Sequence, residues 1–123
     1  MSSLPGILWL LAALLVAGPA FMSAACAADY APLDCKKEGS APERTVCSDY
    51  GLGQSEARVA TLYQIATSLV AMGQRAQIQD DQRAFLKQRD TCGFNAGCIR
   101  GAYAERIAQL EAVMARIQQL GPF

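Results

Sequence analysis

Residues 82–92 read QRAFLKQRDTC, and their spacing is the clearest indication of the fold. Phe85 and Leu86 follow Gln82 by three and four residues, and Arg89 follows Phe85 by four, so the four side chains share one face of a helix. The apolar pair identifies this face as the buried one. Inside a protein an amide and a guanidinium each require a partner, so we expect Gln82 to be a buried hydrogen-bonding residue and Arg89 to pair with a carboxylate.

Helical periodicity extends along the chain in both directions from this stretch. Four helices are expected, over residues 40–49, 55–72, 77–91 and 98–120. The first begins at Ser40-Ala41-Pro42-Glu43, which has the spacing of a capping box. Gly51 and Gly53 are expected to form the turn before the second helix, and Gly73 is expected to end it. No segment alternates as a strand does, so the predicted fold is an all-α bundle of three main helices plus a short N-terminal helix.

The N-terminal region differs in composition from the rest of the chain. Residues 1–28 contain no ionisable side chain, and residues 7–16 (ILWLLAALLV) form an uninterrupted apolar run. Gly18-Pro19 and small residues follow, as in a secretory signal peptide, whereas a membrane-spanning helix needs about 20 apolar residues. We therefore expect residues 1–28 to be a signal peptide and residues 29–123 to be a periplasmic or secreted domain. The alternative is a lipoprotein, with the membrane anchor on Cys26.

Four cysteines remain in the expected mature chain: Cys35, Cys47, Cys92 and Cys98. An exported protein should have them oxidised. Four cysteines allow three connectivities, which sequence alone does not decide, and we favour two local bridges, Cys35–Cys47 and Cys92–Cys98. Their C-x₁₁-C and C-x₅-C spacings differ from the C-x₂₋₄-C pairs typical of zinc sites. The prediction is therefore a small disulfide-stapled helical bundle with no metal and no cofactor.

Composition argues against several classes of function. The 123 residues include no histidine, and 11 Lys and Arg balance 11 Asp and Glu. A Ser or Cys triad has no imidazole base here, and the basic stripe of a nucleic-acid binder is missing. Asp80 and Asp81 are neighbours on one helix, so they do not face each other across a cleft as glycoside hydrolysis requires. We expect a protein that is not an enzyme and does not bind nucleic acid.

Two motifs resemble the LprI-like lysozyme-inhibitor N-terminal domain family. The first combines Cys35 with Glu43-x-x-Val46-Cys47, and the second is Q-R-x-F-L-x-x-R-D-x-C followed by Cys98-Ile99. The residues that carry the motif are Glu43, Gln82, Phe85, Leu86, Arg89, Asp90 and Tyr103. The resemblance covers residue 33 to about residue 114. It implies an exported bacterial helical domain that binds lysozyme and blocks it non-covalently.

An inhibitor of this kind needs a protruding, pre-organised element. Two loops bounded by cysteines meet that need, residues 36–41 and 93–97, and the expected partner-binding residues in them are Lys36, Lys37, Phe94 and Asn95. A lysine of the first loop could approach the carboxylates of the cleft. Many lysozymes are strongly basic, however, and a chain of zero net charge is not steered towards them. The alternative function is a structural or interaction module that binds another envelope protein and has no lysozyme activity.

The sequence also predicts the surroundings of four individual side chains. Adjacent helix residues point about 100° apart, so we expect Arg89 and Asp90 not to face each other. Arg89 is expected to pair with Glu43 or Glu56 instead. Tyr103 lies on an apolar stripe, as does Tyr63, and each is expected in the core with a partner for its hydroxyl.

Overall fold

The computed structural model describes residues 30–121, and helices account for most of that range. They are α1 (Ala41–Ser48), α2 (Tyr50–Leu69), α3 (Met72–Asp90) and α4 (Ala96–Gln119). Residues 30–121 contain no strand, which confirms the all-α prediction. The expected signal peptide and Cys26 lie outside the described residues.

α1 begins where the capping box predicts. The Ser40 hydroxyl accepts the N–H of Glu43 at 3.5 Å, and the Glu43 carboxylate accepts the N–H of Ser40 at 2.8 Å. Pro42 lies in the first turn, where a missing N–H leaves no bond unmade. The local sequence is therefore sufficient to start this helix.

The turn expected at Gly51 and Gly53 is wrong, because both glycines lie inside the first turn of α2. Asp49 caps that turn through its carboxylate, which accepts the N–H of Leu52 at 3.0 Å. The same N–H, together with Arg100, holds the pKa of Asp49 below its ordinary value. Leu52 is fully buried, so extending the helix back to Tyr50 also completes the core.

The end expected for α2 at Gly73 is also wrong. α2 ends at Leu69 and α3 begins at Met72, so Gly73 lies in the first turn of α3. The guanidinium of Arg75 donates to the carbonyl oxygen of Thr67 at 2.7 Å and ties the two helix ends together. With this hydrogen bond in place, two residues, Val70 and Ala71, are enough to connect α2 to α3.

The three long helices enclose one apolar core, and α2 packs mainly against α4. These two helices run parallel, since Glu56 meets Tyr103 and Arg58 meets Glu111 further along. Phe85 of α3 packs edge-to-face on Tyr103, with ring centroids 5.1 Å apart. The core side chains with no exposed surface are Leu52, Val59, Ala66, Ile99, Tyr103 and Leu110.

Both disulfides lie at one end of the bundle, where α2 and α4 begin and α3 ends. Cys35 is bonded to Cys47 and Cys92 to Cys98, each with Cα atoms 5.6 Å apart, which confirms the two local bridges. The first bridge ties the N-terminal segment to α1, and the second closes the turn between α3 and α4. Chain-entropy reasoning assigns them about 3 and about 2 kcal/mol of stability. We call this region, with its loops 34–40 and 93–95, the disulfide end.

Candidate functional site

A buried carboxylate joins the N-terminal segment to the helices. Glu56 of α2 is 6% exposed and accepts three hydrogen bonds. The donors are the N–H of Leu33 at 3.0 Å, the hydroxyl of Tyr103 at 2.6 Å and the hydroxyl of Tyr30. A buried carboxylate is tolerated when its oxygens are satisfied in this way. Glu56 therefore holds the segment before α1 against α2 and α4.

The two tyrosines bound to Glu56 are poor acids. Burial raises the pKa of Tyr30 well above its ordinary value, and the adjacent Glu56 carboxylate raises it further. The pKa of Tyr103 is raised for the same two reasons, partly offset by Arg89. Both hydroxyls therefore remain protonated donors at neutral pH and have no role as bases.

Arg89 lies next to this cluster and pairs with Glu43, one of the two acidic residues predicted for it. Its guanidinium donates to Glu43 at 3.3 Å, whereas Glu56 is occupied by the tyrosines. The same guanidinium donates to Asp90 at 3.0 Å, so the prediction that these neighbours do not face each other is wrong. The Arg89 side chain is long enough to fold back onto the next residue. Burial lowers the pKa of Arg89, but contacts with Tyr103 and Asp90 outweigh it and the pKa is raised.

A second buried arginine holds α4 to α3. Arg106 donates to the Gln82 side chain at 2.8 Å, to the backbone oxygen of Ile78 at 3.0 Å and to Gln109 at 3.0 Å. This confirms Gln82 as a buried hydrogen-bonding residue. Burial lowers the pKa of Arg106. Sequence reasoning missed the pair, although an arginine within an apolar stripe was a usable signal.

The four expected partner-binding residues all lie at the disulfide end, in different surroundings. Lys36 is exposed, and the ammonium of Lys37 lies 3.6 Å from a carboxylate oxygen of Asp34. Phe94 is 68% exposed. Asn95 caps α4 by accepting the N–H of Cys98 at 3.0 Å, so its side-chain oxygen already has a structural task.

One contact brings the two disulfide-tied elements together. The guanidinium carbon of Arg44, on α1, lies 5.4 Å from the centroid of the Phe94 ring, which is the geometry of a cation–π interaction. Beside it, a shallow groove of about 480 Å³ separates the N-terminal segment from α1. Its charged lining residues are Asp34, Lys37, Glu38, Glu43 and Arg44. Arg44 is not among the residues predicted from the sequence, because its partner is 50 residues away.

The described chain offers no other obvious chemistry. Within residues 30–121, no group of three or more His, Cys, Asp or Glu side chains is placed to hold a metal ion. In that same range, no helix combines the length and apolar character needed to cross a membrane. The disulfide end, where the exposed Phe94 ring lies against Arg44, is the candidate site.

Comparison with known proteins then identifies the family. The family model described as lysozyme inhibitor LprI matches residues 35–120. The chain belongs to the LprI family. No curated protein and no solved structure gives a significant match. The matched range of this LprI domain includes both disulfides and all four helices, so the family resemblance and the fold concern the same unit.

The motif residues of this LprI domain are mainly structural. Phe85 and Tyr103 pack in the core, Gln82 receives Arg106, and Glu43 both caps α1 and pairs with Arg89. Leu86 is partly buried against the core, and Asp90 binds Arg89 from a half-exposed position. These residues explain why the chain folds as it does. A binding surface has to be sought among exposed residues outside the motif.

Proposed function

We propose that this LprI-family domain is an exported, non-enzymatic inhibitor that binds a lysozyme non-covalently through its disulfide end. Family membership supports the inhibitory function in general. The observation that carries the choice of surface is the contact between Arg44 of α1, the helix that follows the first cysteine-bounded loop, and Phe94 of the second loop. A single protruding surface is thereby formed from segments distant in sequence.

Pre-organisation favours this surface over the helical flanks. Each loop is closed by a disulfide, and α1 is additionally held to α3 by the Glu43–Arg89 pair. A loop that is already ordered loses little conformational entropy when it binds. The exposed Phe94 ring adds apolar area of the kind that dominates binding energy in protein interfaces.

The first test is a titration of the oxidised, processed protein into lysozyme that is digesting a cell-wall suspension. We expect inhibition near one-to-one stoichiometry that disappears after reduction and alkylation, because reduction releases both loops. An absence of inhibition at large excess, across several lysozyme types, would contradict the proposal.

A second test concerns the lysines of the first loop. The double variant Lys36→Ala/Lys37→Ala is expected to weaken inhibition if these ammonium groups approach the cleft carboxylates. Arg116→Ala is the control, because it removes one exposed positive charge near the C-terminal end of α4, at the opposite end of the bundle. Equal inhibition by both variants would show that the two lysines do not contribute to binding.

Export is part of the proposal, and the two disulfides support it, since such bonds persist in oxidising compartments. Mass spectrometry of the exported protein distinguishes its two forms. A mass that begins after Cys26 indicates a periplasmic or secreted domain. A mass that begins at Cys26 and includes acyl chains indicates a membrane anchor.

A second candidate function follows from the charge balance. The chain has 11 basic and 11 acidic residues, so it lacks the acidic excess that would attract a strongly basic lysozyme. A domain of this composition suits an interaction module that binds another envelope protein. Co-purification of such a protein, together with no inhibition in the titration, would favour this function.

A further inference from the structure

Arg44 is an exposed cation on α1. The ion pairs found within residues 30–121 do not include it, and its contact is with the face of the Phe94 ring. Two of the acidic residues nearby have other partners. Glu43 accepts the N–H of Ser40 and forms an ion pair with Arg89, and Asp34 forms an ion pair with Lys37. The positive charge of Arg44 is therefore available to a binding partner.

A disulfide fixes the position of each member of the Arg44–Phe94 pair. Phe94 lies in the turn closed by Cys92–Cys98, between Gly93, whose φ of 57° favours glycine, and the α4 cap at Asn95. Arg44 itself is carried by α1, which the Cys35–Cys47 bridge holds. The guanidinium is thus positioned before any partner arrives, whereas a lysine on a flexible stem would have to be ordered on binding.

We propose that Arg44, stacked on Phe94, is the group that enters the carboxylate-lined cleft of a lysozyme. This inference rests on the proposed function and specifies its main contact. Lysozyme-type cleavage uses two carboxyl groups in one cleft. A guanidinium matches a carboxylate with two parallel hydrogen bonds, which makes arginine a frequent centre of binding energy. A local cation of this kind also explains how a chain of zero net charge can recognise an acidic cleft within a basic protein.

The proposal distinguishes Arg44 from the lysines nearby. Lys37 already faces Asp34, and neither Lys36 nor Lys37 stacks on an aromatic ring in the described structure. Phe94 brings exposed apolar area beside the cation, so the pair presents charge and contact surface together. We therefore expect Arg44→Gln to affect inhibition more than Lys36→Ala/Lys37→Ala does.

The experiment measures the inhibition constant of the wild-type, processed protein and of three variants against a lysozyme. Arg44→Gln and Phe94→Leu are expected to raise the constant at least about tenfold, the usual effect of removing a central interface residue. The control Arg116→Gln, which makes the same charge change at the far end of α4, is expected to stay within about twofold. Circular dichroism and the thermal midpoint verify that each variant is folded, as expected for exposed positions.

A reciprocal measurement changes the lysozyme instead of the domain. A lysozyme whose cleft carboxylate is replaced by the amide should bind the domain at least about tenfold more weakly, and its binding should respond less to Arg44→Gln. Unchanged binding would overturn the proposal even if Arg44→Gln failed to fold.

The outcomes separate this inference from the function on which it rests. If the wild-type protein inhibits and Arg44→Gln behaves like Arg116→Gln, the assignment of Arg44 is wrong while the inhibitor function stands. If the wild-type protein does not inhibit, both are wrong. Loss of inhibition in Arg44→Gln and Phe94→Leu, with Arg116→Gln unaffected, supports the assignment.

Discussion

Replacing Glu56 with alanine should be among the most destabilising single changes in this domain. The Glu56 carboxylate is 6% exposed and accepts hydrogen bonds from Tyr30, Leu33 and Tyr103. Alanine removes all three bonds at once and leaves a space where the carboxylate stood. The N-terminal segment then loses its hydrogen bonds to Glu56 of α2, and the hydroxyl of Tyr103 loses its acceptor inside the core.

The loss in the free energy of unfolding depends on whether water can replace Glu56 as the acceptor for each donor. The Leu33 N–H and the Tyr30 hydroxyl are only partly buried, so solvent replaces much of what they lose. The Tyr103 hydroxyl is fully buried, and an unsatisfied buried donor costs about 1–3 kcal/mol. With the lost hydrogen bonds to a charged group added, we expect Glu56→Ala to lower the free energy of unfolding by about 3–5 kcal/mol. Glu56→Gln keeps one acceptor oxygen, so its cost should be about 1–2 kcal/mol.

The assay is urea unfolding of the oxidised protein at neutral pH, followed by far-UV circular dichroism, for both variants and for Tyr103→Phe. The double variant Glu56→Ala/Tyr103→Phe has no buried hydroxyl left without an acceptor. Its cost should therefore fall short of the sum of the single costs by about 1–3 kcal/mol. A cost below about 1 kcal/mol for Glu56→Ala, or strictly additive costs in the double variant, would show that Glu56 does not hold this cluster together.

Three further outcomes are expected. The pKa values of Tyr30 and Tyr103 are raised in the folded state, so the folded protein retains protons that the unfolded chain loses above pH about 10. The stability that these tyrosines contribute is therefore full below that pH and falls as the pH rises. Thermal midpoints measured between pH 8 and pH 11 should fall less steeply in Tyr103→Phe than in the wild type, and equal slopes would contradict this prediction. Arg106→Lys cannot reproduce the geometry with which the guanidinium donates to three acceptors, so it should lower the free energy of unfolding in urea by about 1–3 kcal/mol. An unchanged free energy of unfolding would mean that an ammonium group holds α3 to α4 as well as the guanidinium does. Replacing Cys92 and Cys98 together by alanine should cost about 2 kcal/mol on the chain-entropy model and should weaken lysozyme inhibition, with unchanged inhibition arguing against the second loop.

Local signals predicted most of the fold. The capping box at Ser40 and Glu43 starts α1 where expected, because it involves only residues within one turn. The apolar stripes identified the three long helices, and short cysteine spacings favoured the bridges that the structure contains. The errors at Gly51, Gly53 and Gly73 have a common cause. Glycine weakens a helix only slightly, so burial of Leu52 and the Arg75 bond to Thr67 decide where the helices begin.

The site was less predictable than the fold. The sequence indicated the two loops and the exposed residues in them, but it assigned Asn95 to a partner where the structure uses it as a helix cap. It also left Arg89 with two possible acids. The structure assigns Glu43 to Arg89 because the tyrosines take Glu56. A choice between two chemically equal acids depends on competition for the same carboxylate, which a single motif does not contain.

The helical class, the capping of α1, the buried faces and the family can all be read from the amino-acid order, since each depends on residues close together along the chain. Three further features require the folded chain: α2 and α4 run parallel, Glu56 accepts three hydrogen bonds, and Arg44 lies over Phe94. Those contacts join residues 23 to 50 positions apart. They depend on how the helices cross, and helix crossing is set by the packing of whole faces rather than by any local pattern.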